Sequence, residues 1–145
     1  MLANINYRGN FDVSNMRFPP GKPQQIIDRS GKYPIIFFKT GKCRIMGCKK
    51  PLDINKLQYR INNIIIQSIT VTMDMGHSIN LYNMSKKCDC MFEPELFPAL
   101  RLLKYNPICV NVFASGKVVM LGLRNLEYRE FVDNVRNEII SLVDF

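Results

Sequence analysis

Two apolar runs, each opened by a proline, punctuate this chain: Pro34-Ile-Ile-Phe-Phe38 and Pro107-Ile-Cys-Val-Asn-Val-Phe113. Each leads into a small residue and a glycine, Thr40-Gly41 or Ser115-Gly116, and then into a second apolar stretch. A run, a glycine turn and a run predict a β-hairpin in both places. The two hairpins align without a gap, Phe38-Lys-Thr-Gly-Lys-Cys-Arg-Ile-Met-Gly-Cys-Lys49 on Phe113-Ala-Ser-Gly-Lys-Val-Val-Met-Leu-Gly-Leu-Arg124. Gly47 and Gly122, inside the second strands, predict a kink or a close approach by another backbone. Upstream, Leu2-Ala-Asn4-Ile matches Ile61-Asn-Asn63-Ile, each the start of a first strand. Two copies of strand, helix, and hairpin or meander make a pseudo-symmetric sheet of α+β class.

The wider pattern predicts strands near 2–8, 34–39, 42–48, 61–72, 79–84, 107–114 and 117–123. Pro98 suits the first turn of a short helix through Lys104, where its missing N–H is not needed. Tyr128, Phe131, Val132, Val135, Ile139 and Leu142 recur at helical spacing, with Glu127, Glu130, Asp133, Arg136 and Glu138 on much of the other face, predicting an amphipathic helix over 126–142. Residues 9–33, with Gly9, Pro19, Pro20, Gly21, Pro23 and Gly31, read mainly as loop.

At 145 residues the chain is one compact domain, read as a shortened first repeat (1–60) and a better preserved second (61–145). Hydrophobic residues at 47% and charged residues at 22% describe a globular protein, not a disordered one. No apolar run reaches membrane-span length and no signal-peptide layout opens the chain, so an intracellular protein is expected, with no membrane partner. Five irregularly spaced cysteines then suit reduced thiols. Residues 1–60 hold 12 Lys/Arg and 3 Asp/Glu, while residues 61–145 hold 8 and 9. That polarisation suits a polyanion for the first half and another partner elsewhere, or simple solubility. Cys43, Cys48, Cys88, Cys90 and His77 lack the spacing of a zinc finger or ribbon, and no metal or cofactor is expected. One histidine, no nucleophile–base pair and no glycine-rich phosphate loop argue against an enzyme.

The strings Glu93-Pro-Glu-Leu-Phe-Pro-Ala-Leu100 and Val112-Phe-Ala-Ser-Gly-Lys-Val-Val119 resemble the second repeat of the TATA-box-binding protein family, with element order matching over residues 60–145. The resemblance implies a curved antiparallel sheet, a saddle, with helices on its convex face and duplex DNA on its concave one. It implies that phenylalanines wedge between base steps of an A·T-rich minor groove and bend it. Position by position, Phe97 and Phe113 match the wedge pair of the second repeat, and Phe38 one wedge of the first. Asn4 and Asn63 match the central asparagines. Lys42, Lys49, Lys117 and Arg124 match cations that approach phosphate, and Val119, Leu121 and Ile65 match apolar groove contacts. Glu93, Glu95 and Leu96 match a loop that meets a TFIIB-type factor, or here an RNA polymerase subunit.

The departures fall in the first half. The fourth wedge would stand near Lys22 or Pro23, where there is no phenylalanine, and Phe18 is the nearby substitute. Met46 and Leu121 replace threonines, and Arg44 and Asn6 replace valines; an arginine in a narrow A·T-rich groove offsets a lost wedge. The helix closing the first repeat is cut to a short segment, and the surface for a TFIIA-type factor is unrecognisable. A transcription initiation factor working in the nucleus, or at a viral replication site given the abundance of Ile and Asn, is the leading expectation. The alternatives are a protein-interaction adaptor or decoy that leaves DNA straight, a homodimer that rebuilds a full saddle, and a single-strand binder whose phenylalanines stack on bases. Phe38 and Phe113 also fit as hairpin core residues.

Overall fold

A computed structural model describes residues 1–21 and 24–143, and within them nine strands and two α-helices. The chain divides into two compact units, Ala3–Ile69 and Met1–Leu2 with Thr70–Phe145.

The first unit is built on β1 (Leu2–Asn10), β2 (Gln25–Asp28), β3 (Ile35–Phe38), β4 (Lys42–Cys48) and the start of β5 (Asn62–Asp74), side by side as β2-β3-β4-β1-β5. Alternation does the sorting: Ile5, Tyr7, Ile35, Phe37, Cys43 and Ile45 point to one face and are buried. Among the described residues this unit contains no α-helix of its own to cover that face. Aromatic loop residues do so instead, with the Phe11 and Tyr59 rings 4.9 and 4.7 Å from Phe37 and both tilted edge-on. Phe18 stacks behind Phe11 at 6.4 Å. Two single 3-10 turns, Val13–Asn15 and Ile54–Lys56, are held by Asp12 and Asp53, whose carboxylates accept from the N–H two residues on. The Leu52 N–H donates to Tyr7 Oη at 3.0 Å, pinning the short segment after β4 over the core.

The second unit continues β5 into β9 (Lys117–Leu123), β8 (Cys109–Phe113), β7 (Ala99–Leu102) and β6 (Cys90–Met91), in that order and with β6 to β9 paired antiparallel. Val110, Val112, Val118 and Met120 are fully buried on one face. The amphipathic spacing forms α2 (Arg129–Leu142), which buries Val132, Val135 and Ile139. Phe131 meets Tyr105 edge-on at 5.3 Å, and Lys104 Nζ reaches Glu138 at 3.2 Å.

Three expectations are corrected. Residues 79–84 are not a strand: Asn80 Oδ1 accepts from the Asn83 N–H at 3.1 Å and starts the short helix α1 (Leu81–Ser85), which buries Leu81 and Met84. Pro98 opens a strand, not a helix, because Ala99–Leu102 pairs with β8 in the register Ala99↔Phe113; a missing N–H is equally harmless where pairing begins. The presumed loop over 9–33 contains the edge strand β2, whose Ile26 and Ile27 pair with Phe37 and Ile36. The expected site of a fourth wedge, Lys22 or Pro23, lies outside the described residues.

Candidate nucleic-acid interface

Each unit leaves one face of its sheet uncovered, and the predicted residues distribute themselves over these two faces and the adjoining loops. In the second unit the open face carries Phe113, Val119 and Leu121, which alternate with buried Val112, Val118 and Met120. Phe97 lies just ahead of β7 and its ring centroid sits 6.2 Å from that of Phe113, inclined at 70°. Phe97 is 50% exposed. Nothing in the described structure demands an aromatic ring half in water at Phe97, since burial of such rings is what stabilises a fold.

The loop before Phe97 is pinned by two N–H groups, of Leu96 and Phe97, that donate to the Glu93 carbonyl at 2.9 and 3.0 Å. Glu93 and Glu95 point to water, and Leu96 at 80% exposure is the most exposed large apolar side chain described. Lys117 begins β9 on the open face, and Arg124 lies exposed just beyond it.

The first unit presents a different surface. Arg44 stands opposite to buried Cys43 and Ile45, with Lys42 and Met46 beside it. Its guanidinium lies 5.8 Å from the Phe38 ring, a cation–π contact. Phe38 thus sits on the face opposite to Phe37 and is not a core residue. Lys49 is exposed beyond the end of β4. A groove of about 600 Å³ runs over this face between Arg8, Asn10, Phe38, Lys42, Arg44 and Asn63. Ile65, 47% exposed, also lines it.

The asparagines behave unequally. Asn63 is exposed with φ 54°, the left-handed region that Asn tolerates better than most side chains. Asn4 is half-buried, and its Oδ1 is buried without a hydrogen-bond partner. An orphaned amide oxygen costs free energy unless something outside the chain donates to it. Asn6 is occupied internally, accepting from the Gly47 N–H at 3.1 Å. That bond secures a bulge between Ile5 and Tyr7 pairings, where Gly47 has φ 74°. Gly122 repeats the positive φ at 92°, so both glycines make a kink and not a close approach: an added Cβ at Gly122 meets nothing within 4 Å.

Phe18 does not reach the open face: its ring joins Phe11 and Phe37 on the covered one, so it is no substitute wedge. Four polar residues outside the expected set also stand here. Arg8 and Asn10 lie on the open face of β1, directly opposite Arg44 and Lys42. Arg101 and Asn111 pair across β7 and β8 beside Phe113. The polar period of two in Asn4, Asn6, Arg8 and Asn10 was the available signal for β1. Arg101 had none, because its strand was read as a helix.

The comparisons with known proteins come to one family. The family described as "Transcription factor TFIID (or TATA-binding protein, TBP)" matches residues 58–139. The chain is 31% identical over 132 residues to a TATA-box-binding protein of Methanococcus aeolicus, covering 79% of this chain and 73% of that protein. It is 28% identical over 123 residues to TATA-box-binding protein-like 1 of Entamoeba histolytica, covering 81% and 57%. Among solved structures, a Methanococcus jannaschii TBP superposes with a TM-score of 0.71 over 97% of both chains at 23% identity.

Proposed function

The chain belongs to the TATA-binding protein family, non-enzymatic DNA-binding transcription factors with an α+β fold, and from that premise we propose that it binds A·T-rich duplex DNA through the minor groove and bends it. The observation that carries this reading is the Phe97–Phe113 pair at 6.2 Å by the uncovered face of the second unit, with the Phe97 ring half exposed. A minor groove offers little base code, so recognition there rests on shape, deformability and apolar insertion. The two rings serve as the wedge, with Val119, Leu121 and Ile65 as apolar contacts. Asn63 and Asn4 present their amide N–H groups to base edges, since an A·T minor groove offers only acceptors. Phe38 and Arg44 work as a pair in the first unit, and Lys42, Lys49, Lys117 and Arg124 neutralise phosphate.

The repeats 1–60 and 61–145 divide this labour, the first supplying charge and the second the kink. Glu93, Glu95 and exposed Leu96 are the surface for a TFIIB-like factor or an RNA polymerase subunit. The protein acts in a nucleus, or at a viral replication site if the shortened first repeat is a viral economy. A second reading, an adaptor that leaves DNA straight, is favoured by one observation: Phe18 joins the cluster on the covered face, away from Phe38, so no aromatic pair is described on the open face of the first unit.

End-to-end energy transfer on a doubly labelled A·T-rich duplex decides between them. The wild-type chain should shorten the distance, and Phe97→Ala with Phe113→Ala should abolish the shortening and weaken binding about tenfold or more, since an aromatic–base contact is worth roughly 1–3 kcal/mol. Shortening that survives the double substitution removes the wedge assignment. Binding without shortening by the wild type favours the adaptor.

A further inference from the structure

The register of β1 against β4 places Arg8 directly opposite Arg44, on the uncovered face of the first unit. Like charges facing each other across an antiparallel pair destabilise the sheet. The next open-face pair, Asn10 opposite Lys42, adds a third cation two residues along. Among the described residues lining the groove there is no acidic side chain: its polar members are Arg8, Asn10, Thr40, Lys42, Arg44, Asn63 and Gln67. Arg44 is further fixed from below by the Phe38 ring at 5.8 Å. Elsewhere in this unit the aspartates are spent locally, Asp12 on Ser14, Asp28 on Ser30 and Tyr59, and Asp53 on Asn55. The register therefore sets two exposed arginines across from each other, and no described residue lining the groove supplies a counter-charge.

We propose that Arg8 and Arg44 form a guanidinium clamp for a phosphodiester of the bound duplex backbone, so that the first unit grips by charge where the second inserts aromatic rings. This rests on the reading of the chain as a duplex-DNA binder and adds Arg8 to it. A planar guanidinium offers parallel N–H donors that match two phosphate oxygens, and two of them close on one anion from both sides. The anion relieves the repulsion between them, so the pair's cost in the free protein is recovered on binding. Lys42 extends the cationic row.

The test uses Arg8→Gln, Arg44→Gln and the double variant, which keep most of the aliphatic stem and a polar end while removing the charge. Three readings are taken: the slope of log affinity against log salt on an A·T-rich duplex, the A·T over G·C preference, and the thermal midpoint of the free protein. Because both guanidinium groups close on one phosphate, the double variant should reduce the slope by about 0.9, and each single substitution by no more than that. The A·T preference should stay unchanged, and the free protein's midpoint should rise by about 1–3 °C as repulsion is lifted. A merely structural role predicts a fall in midpoint and no change of slope, and overturns the clamp. A changed A·T preference at constant slope also overturns it, by assigning the pair to base edges. Linear inorganic polyphosphate serves as a second probe. If the wild type ignores duplex DNA but binds polyphosphate through the pair, the clamp stands and the duplex reading fails. If it binds neither, both fail.

Discussion

A methyl group at Gly116 would stand 2.1 Å from the carbonyl oxygen of His77, on a backbone with φ 93°. At Gly122 φ is 92° but the added atom meets nothing. The two glycines thus separate strain from crowding. Gly122→Ala should cost about 1–2 kcal/mol, the left-handed penalty alone, and Gly116→Ala about 3 kcal/mol or more. Urea unfolding of both variants checks the order, and equal costs would mean that the His77 carbonyl yields freely. Asp28 makes a different prediction. Ser30, then Tyr59, hold its carboxyl below the usual carboxylate range, and the same bond raises the Tyr59 phenol. A lowered acid contributes stability above its unfolded pKa and loses it as pH falls through the folded one. A raised phenol contributes below its unfolded pKa and loses it as pH rises past the folded one. Thermal midpoints of Asp28→Asn should therefore converge on wild type below about pH 4, where the unfolded carboxyl protonates, and lie below it at neutral pH.

Elements show where local pattern suffices. α2 was legible almost to its ends, because a 3.6-residue repeat of large apolar side chains has one solution against a sheet. Ile139, fully buried in it, should cost about 2–4 kcal/mol as Ile139→Ala in chemical denaturation. The hairpins β3–β4 and β8–β9 were equally legible, since each glycine turn sets the register. α1 and β7 were not. Residues 79–84 mix apolar and polar positions in a way that suits either period, and an asparagine cap settled it; Pro98 is compatible with a helix start and a strand start alike. The aromatic cover of the first unit makes its own prediction. Phe18→Ala should lower stability by about 1–3 kcal/mol through lost packing, less than a fully buried aromatic because Phe18 is only half-buried, and leave duplex bending unchanged. A loss of bending would return Phe18 to the wedge role that its place in the covered cluster denies.

At the scale of the whole molecule, charge and apolar exposure are unequally shared: the first 60 residues hold 12 of the 20 Lys/Arg, and the half-exposed Phe97 with its partner Phe113 belongs to the other unit. Under the proposed reading, binding should fall steeply with salt and bending should be lost with the rings. The amino-acid sequence by itself determined the α+β class, the long helix and both matching hairpins, because short motifs and periodicity are local properties. It could not determine which way Phe18 turns, that Asn6 serves a bulge while Asn4 Oδ1 stays unsatisfied, or that Arg8 faces Arg44. Those facts depend on strand register and on what covers each face of a sheet. A period of two says that neighbours point apart, and only the assembled sheet decides which side meets water and which residues stand across from one another.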